Sequence, residues 1–539
     1  MILPAVLVRR GKYSIADPLF VEERRPVLVA RRARRGAEAG DLVLVDVHET
    51  RRSLRGEVVR VIGTSEDPRN VYEALFASIG TSPRFPRRVE EEAEKVAGRG
   101  FSERRKDLRA LPTVTIDGED AMDFDDAISV ERTSDGYRVW VHIADVTHYV
   151  DPEGALDLEA ARRGNSVYLP GRVAPMLPAR LSADVCSLVP GAERAAVTVE
   201  MDLDHSGAVR ESRIYRSRIA SDARLTYEGV DAFLRGEGRI EQPRLVTEAH
   251  ELARRLKTRA AVRGKLELES REPEYELDDD GVPISARMRG ASPARELIEE
   301  LMILANEQVA MEIIDRPGGI FRVHERPEAQ ALEELGRQLD AIGLADEPSP
   351  ENLSVIAQKA KSGAVGYLIL RSLPRAYYSP SNVGHFGLAL ENYTHFTSPI
   401  RRYADILVHR ALFGCGRSGE DLWEIAEHIS EREFRSMICE RTADEYTLMW
   451  LMRDRVGETF EGVVVSTTSF GLFVELESGA TGLVHVSKLP GWWELDESGV
   501  VLSNDEIGAS YRVGDRVLVE LLDVFPLYQR AELRVVKRL

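Results

Sequence analysis

Six acidic residues fall within the ten positions from Asp117 to Asp126, in the stretch Thr115-Ile116-Asp117-Gly118-Glu119-Asp120-Ala121-Met122-Asp123-Phe124-Asp125-Asp126. β-like runs bracket them, Thr113-Val114-Thr115-Ile116 before and Ala127-Ile128-Ser129-Val130 after. A solvated acidic loop is the plain alternative. Strand residues on both sides weigh against it, because they hold the carboxylates at strand ends in fixed positions. Carboxylates that repel one another need a counter-charge, from Lys or Arg or from a hard cation. Mg²⁺ suits, since it takes oxygen ligands and keeps several waters for work on phosphates. The run holds no cysteine or histidine, which argues against zinc.

The whole chain, at 539 residues, 43% hydrophobic and 30% charged, predicts several soluble domains of roughly 150 residues each. Its start, Met1-Ile2-Leu3-Pro4, lacks a basic segment followed by an apolar core, and no stretch approaches the ~18 apolar residues of a membrane span. The expectation is a cytoplasmic protein with no membrane partner. Cys186, Cys415 and Cys439 are odd in number and lack zinc spacing, as reduced and mostly buried thiols do. The net charge of −18 argues against global attraction to nucleic acid, yet it is uneven. Residues 1–63 carry 13 Lys and Arg against 8 Asp and Glu, a net +5, whereas residues 457–539 carry 7 against 13, a net −6.

Residues 1–65 read as a small β-barrel, from the runs Ala5–Val8, Pro26–Val29, Leu42–Val45 and Glu57–Val61. Arginines cluster there at Arg24-Arg25, Arg31-Arg32, Arg34-Arg35 and Arg51-Arg52, as a solvated basic face or an RNA contact. Residues 66–110 form a linker with short helices at Val71–Phe76 and Val89–Val96. The strand Tyr137–Val146 is expected to pair with Asp126–Val130 through the turn at Asp135-Gly136.

A strong helix is predicted over 293–314, with Ser292 as N-cap and Pro293 in the first turn. On its wheel Glu296, Glu300 and Glu307 share a polar side. Glu299 lies on the line of Asn306, flanking the apolar face, and is favoured over Glu300 to face a cleft; a salt-bridged surface glutamate is the bland alternative. Farther on, in Thr397-Ser398-Pro399-Ile400-Arg401-Arg402-Tyr403, Thr397 or Ser398 can cap a helix that Pro399 opens. That would put Arg401 and Arg402 near the positive end of a helix dipole, a phosphate-binding arrangement. A long helix from Asp421 to about Arg455 precedes the last β-rich segment.

The acidic run resembles the catalytic signature of the RNase II/RNase R exoribonucleases, in which an Asp after a strand is followed six, eight and nine residues later by three more. Asp117, Asp123, Asp125 and Asp126 fall on those offsets. The resemblance implies an α+β multidomain protein: a cold-shock-like OB module (1–65), a helical linker (66–110), a mixed α/β RNB catalytic domain (111–456) and an S1-type OB module (457–539). It implies a processive, Mg²⁺-dependent 3′-to-5′ hydrolytic exoribonuclease acting as a monomer on single-stranded RNA, with those four aspartates as catalytic metal ligands and Arg401 facing the scissile phosphate. Tyr168, before Leu169-Pro170, and Tyr227 take the family's base-stacking positions, Glu299 lies near the RNA 3′ end, and Arg402 assists Arg401 in binding the substrate. Phe470, Phe473 and His485 sit where S1-type modules expose their binding face. One departure is Lys265-Leu266-Glu267-Leu268-Glu269, where relatives place an outer aromatic in a strand. The rivals are a catalytically dead RNA-binding protein on this fold, which would usually have lost signature acids, and a metal-dependent endonuclease.

Overall fold

The computed structural model describes every residue except 1, 12, 22–24, 50–52, 102–104, 269–271, 360–362 and 417–418. Arg24, Arg51, Arg52 and Glu269 therefore lie outside the described residues.

At the centre is a seven-stranded sheet in the order Ala223–Thr226, Val114–Asp117, Asp126–Thr133, Gly136–Ala144, Glu193–Asp204, Val209–Ala220, Lys106–Asp107. The two edge strands pair in parallel and the rest antiparallel. The hairpin anticipated at Asp135-Gly136 is present, with Asp126 opposite Ile143 and Thr133 opposite Gly136. Gly136 sits at φ 148°, and a Cβ there would lie 2.0 Å from the Leu203 carbonyl oxygen, so only glycine lets the neighbouring strand approach. Alternation along these strands buries Val139, Val141, Ile143, Val197 and Val199 against the helices Pro243–Arg263, Pro293–Ile313 and Tyr403–Leu412, which form one core.

Two closed barrels flank this body, one from five strands within Ile2–Thr64 and one from five within Thr459–Arg538. The sequence runs gave four strands of the first and missed Tyr13–Pro18, whose alternation is broken by Ala16 and Asp17. The helix Glu420–Met452 joins all three units. Cys439, Ala443 and Tyr446 pack toward the first barrel, and Leu448, Met449 and Met452 into the second. The barrels also meet directly, where Tyr528 O–H donates to Asp17 Oδ2 at 2.8 Å. Among the described residues no helix is long and apolar enough to cross a membrane.

Candidate active site

Asp117 ends one strand and Asp126 opens the next, and parallel pairing sets Asp117 beside Thr226. The connection between them is bolted down by its backbone. Phe124 N–H donates to Ser187 Oγ (3.0 Å), Ser187 Oγ–H to the Met122 carbonyl (2.8 Å), and Leu188 N–H to the Phe124 carbonyl (3.0 Å). These bonds turn Asp125 inward, where it is 4% exposed.

Crowding and burial set the electrostatics. Burial, then repulsion from Asp126, pushes the Asp117 carboxyl up to about 8. Asp126 is pushed up to about 6 by burial, against the pull of Arg401. Asp125 lies well above the usual carboxylate range, because burial outweighs Arg401 and the Ile400 N–H. Among the described residues Asp117 Oδ2 and Asp125 Oδ2 are buried with no hydrogen-bond partner, Asp125 Oδ2 having only the Arg401 guanidinium at ion-pair distance. Among the described residues no three His, Cys, Asp or Glu are already gathered as an ion cage. Mg²⁺ does not need one, since it binds through one or two carboxylates with waters and substrate phosphates. Two orphaned carboxylate oxygens in a cluster short of positive charge fit that ion.

The arginine block meets this cluster from 275 positions away in the chain: Ile400 N–H donates to Asp125 Oδ1 at 2.8 Å. Arg401 Nε lies 3.4 Å from Asp125 Oδ2, and its side chain is 47% exposed to the cleft. The helix expected to begin at Thr397 or Ser398 instead begins at Tyr403, so both arginines precede it. Asp405 accounts for the shift. It accepts from Ser398 N–H (3.3 Å) and Arg402 Nε (2.8 and 3.0 Å), closing a turn where a helix would otherwise start. Arg402 thus points inward, 19% exposed, and leaves Arg401 as the guanidinium that faces the carboxylates.

Tyr168, 42% exposed, donates its O–H to Asp123 Oδ2 at 2.9 Å. Tyr227 opens the helix after Thr226, close to Asp117 and Asp126, with the Arg295 guanidinium 4.1 Å from its ring centroid. The glutamate pair departs from the helical wheel at Glu300, which is buried although it shares the polar side. Glu300 is buried and Glu299 exposed, and Lys265 Nζ holds both at 2.8 Å. The wheel fails because this helix is buried nearly all round, on both sides of its polar line. Residues 265–268 form no strand, and Leu268 packs among the helices of residues 329–373. In the second barrel Phe470 is 46% exposed and meets Phe473 edge to face at 6.1 Å, while His485 Nδ1 is engaged by Ser487.

Three participants escaped sequence reasoning: Glu440, whose Oε1 accepts the Tyr168 N–H at 2.8 Å, Asn306 and Asp405. Each acts on a backbone N–H, which leaves no motif beyond the residue type.

Residues 105–415 match the RNB domain, and residues 453–526 the S1 RNA binding domain. Ribonuclease R of Thermotoga maritima is 41% identical over 502 residues, covering 85% of this chain and 69% of the relative. The chain belongs to the ribonuclease R family. Its fold matches Mycoplasma genitalium RNase R in complex with ribose-methylated single-stranded RNA, at 26% identity and a TM-score of 0.88, over 99% of this chain and 90% of that one. Yeast Ssd1, a pseudonuclease, shares the fold at 18% identity and a TM-score of 0.72, over 93% of this chain and 67% of that one. A shared fold therefore does not by itself establish nuclease activity.

Proposed function

We propose that the chain is a 3′-to-5′ exoribonuclease that hydrolyses single-stranded RNA stepwise to nucleoside 5′-monophosphates. The observation that carries this reading is the docking of the Ile400–Arg401 segment onto Asp125, which joins an acidic cluster short of positive charge to an exposed guanidinium. Membership of the ribonuclease R family and retention of all four acids support it. Asp117, Asp123, Asp125 and Asp126 would hold Mg²⁺, which when bound supplies a polarised water and neutralises phosphate charge.

The chain's own groups do the rest. Water adds to phosphorus and the 3′ oxygen of the penultimate nucleotide departs, taking a proton. Arg401 offsets the charge that gathers on the non-bridging oxygens. The Ile400 N–H fixes Asp125, and the Tyr168 O–H fixes Asp123. The rings of Tyr168 and Tyr227 stack on terminal bases, which is sequence-tolerant because every base has a π-face. Phe470 and Phe473 on the second barrel, with His485 at its edge, and the arginines of the first contact the incoming strand, while Glu299 lies beside its 3′ end. The protein acts in the cytoplasm as a monomer.

The test is digestion of 5′-labelled single-stranded RNA with Mg²⁺ beside Asp125→Asn. A ladder shortening from the 3′ end in the wild type alone is the expected result. Bound but intact RNA would make the chain an RNA-binding protein, and internal cuts an endonuclease.

A further inference from the structure

We infer that Asp405 and Asn306 are positioning residues of the centre: from two flanking helices they fix the Phe396–Arg402 loop so that one peptide N–H and one guanidinium reach Asp125 together. The inference rests on the proposed nuclease reading for its kinetic consequence, but not for its geometry.

The loop needs an external hold. It contains Pro399, precedes the helix that begins at Tyr403, and among the described residues its only strand-like pairing is one isolated bridge between Arg402 and Asn165, through Ser166 N–H to the Arg401 carbonyl and Tyr403 N–H to the Gly164 carbonyl. Side chains supply the missing ladder. Asn306, 3% exposed in the helix Pro293–Ile313, accepts the Phe396 N–H at 2.9 Å and donates to the Tyr393 hydroxyl at 3.3 Å. Asp405 is fully buried and accepts from both Ser398 N–H and Arg402 Nε. Ser398 is the relay, because its N–H is held by Asp405 while its Oγ accepts from Arg401 Nη2 at 3.0 Å.

Asp405 also has an electrostatic duty. Among the described residues Arg402 Nη2 is buried with no hydrogen-bond partner, so without the Asp405 carboxylate this guanidinium would be an uncompensated interior charge. It would be driven toward the cleft, taking its neighbour Arg401 with it. A displacement of ~1 Å at reacting groups costs on the order of 10²-fold in rate.

The experiment uses the full chain and Asp405→Asn, Asn306→Leu and Arg401→Ala, singly and combined. Single-turnover hydrolysis of labelled single-stranded RNA should fall about 10²-fold in Asp405→Asn and about tenfold in Asn306→Leu, with RNA affinity within about threefold of wild type. In the Arg401→Ala background either change should cost less than it does alone, because only the Ile400 N–H contact with Asp125 is left to lose. Amide exchange over residues 396–402 should quicken at Ile400 in both variants. Losses that multiply independently of Arg401→Ala would overturn the inference, as would an Ile400 amide still protected as in wild type. The exchange arm decides whether or not the wild type cuts RNA. An inactive wild type would count against the nuclease reading alone. Asn306→Leu decides if Asp405→Asn does not fold.

Discussion

Asp125 and Asp145 stand at the adjoining ends of two paired strands, Asp125 just before Asp126–Thr133 and Asp145 just after Gly136–Ala144, with the Asp125 carbonyl accepting the Ala144 N–H at 2.9 Å, and both are buried, at 4% and 1% exposure. Their charges are handled in opposite ways. Asp145 meets Arg105 at 2.7 Å, Arg216 at 3.5 Å and the Thr147 hydroxyl. Burial would raise its carboxyl, yet Arg105 and the other partners bring it below the usual range. Asp125 has one half-exposed guanidinium at 3.4 Å and one N–H, and stays well above that range. A structural carboxylate is compensated inside the protein. Asp125 is left short, and the shortfall is what a cation and a phosphodiester can fill.

The largest effect that would break this contrast comes from trading each acid for its amide. Asp125→Asn should lower single-turnover hydrolysis by on the order of 10³-fold while the thermal midpoint holds or rises. Asp145→Asn should cost about 3–5 kcal/mol of stability, by removing the carboxylate that compensates the buried Arg105 charge, yet keep the rate per folded molecule. Denaturation curves and active-site-normalised rates would settle both, and a reversed pattern would end the comparison.

Next in size is the response to Mg²⁺. At a hundred times its dissociation constant the ion should stabilise the wild type and Asp145→Asn by ~2.7 kcal/mol, and stabilise Asp117→Asn far less. Calorimetry with and without chelator measures this.

The pH dependence in metal-free buffer sharpens the contrast further. Asp117, raised to about 8 in the fold, binds a proton there that the unfolded chain has released above its ordinary range near 4. Stability should therefore fall as pH rises from about 4 to about 8, and level off beyond. His142, brought down to about 3 by burial, acts in the opposite sense between about 3 and 6.5, while Asp125, Asp126 and Glu440, all raised by burial, act in the same sense as Asp117. The Asp117 contribution is therefore read as the difference between wild type and Asp117→Asn from pH 6.5 to 8. Thermal midpoints of wild type and Asp117→Asn across that window should diverge at low pH and lie parallel above 8. The smallest effect is Tyr168→Phe, which removes the hydroxyl from Asp123 but keeps the ring. It should cost about 1 kcal/mol, a few-fold in kcat with KM nearly unchanged.

Much of this was legible in the sequence because it is local. Strand alternation around Asp117–Asp126, the Ser292 cap and the Asp135-Gly136 turn each act within a few residues, and their elements are present. What was not legible acts across distance. The helix start after Arg402 depends on Asp405 competing for the Ser398 N–H, which cap statistics ignore. The burial of Glu300 over Glu299 depends on Lys265, 34 and 35 positions away, and on a helix enclosed on most sides. Leu268 packs among the helices of residues 329–373, where residues 265–268 form no strand.

The distance between Asp125 and Ile400 also has a meaning in time. A ribosome adding ~5–20 residues per second delivers the arginine loop roughly 15–55 s after the acidic loop. Until then the nascent sheet carries its carboxylates without the Ile400 N–H or the Arg401 guanidinium. The candidate site is thus assembled in two instalments, the acids first and the arginine loop after them.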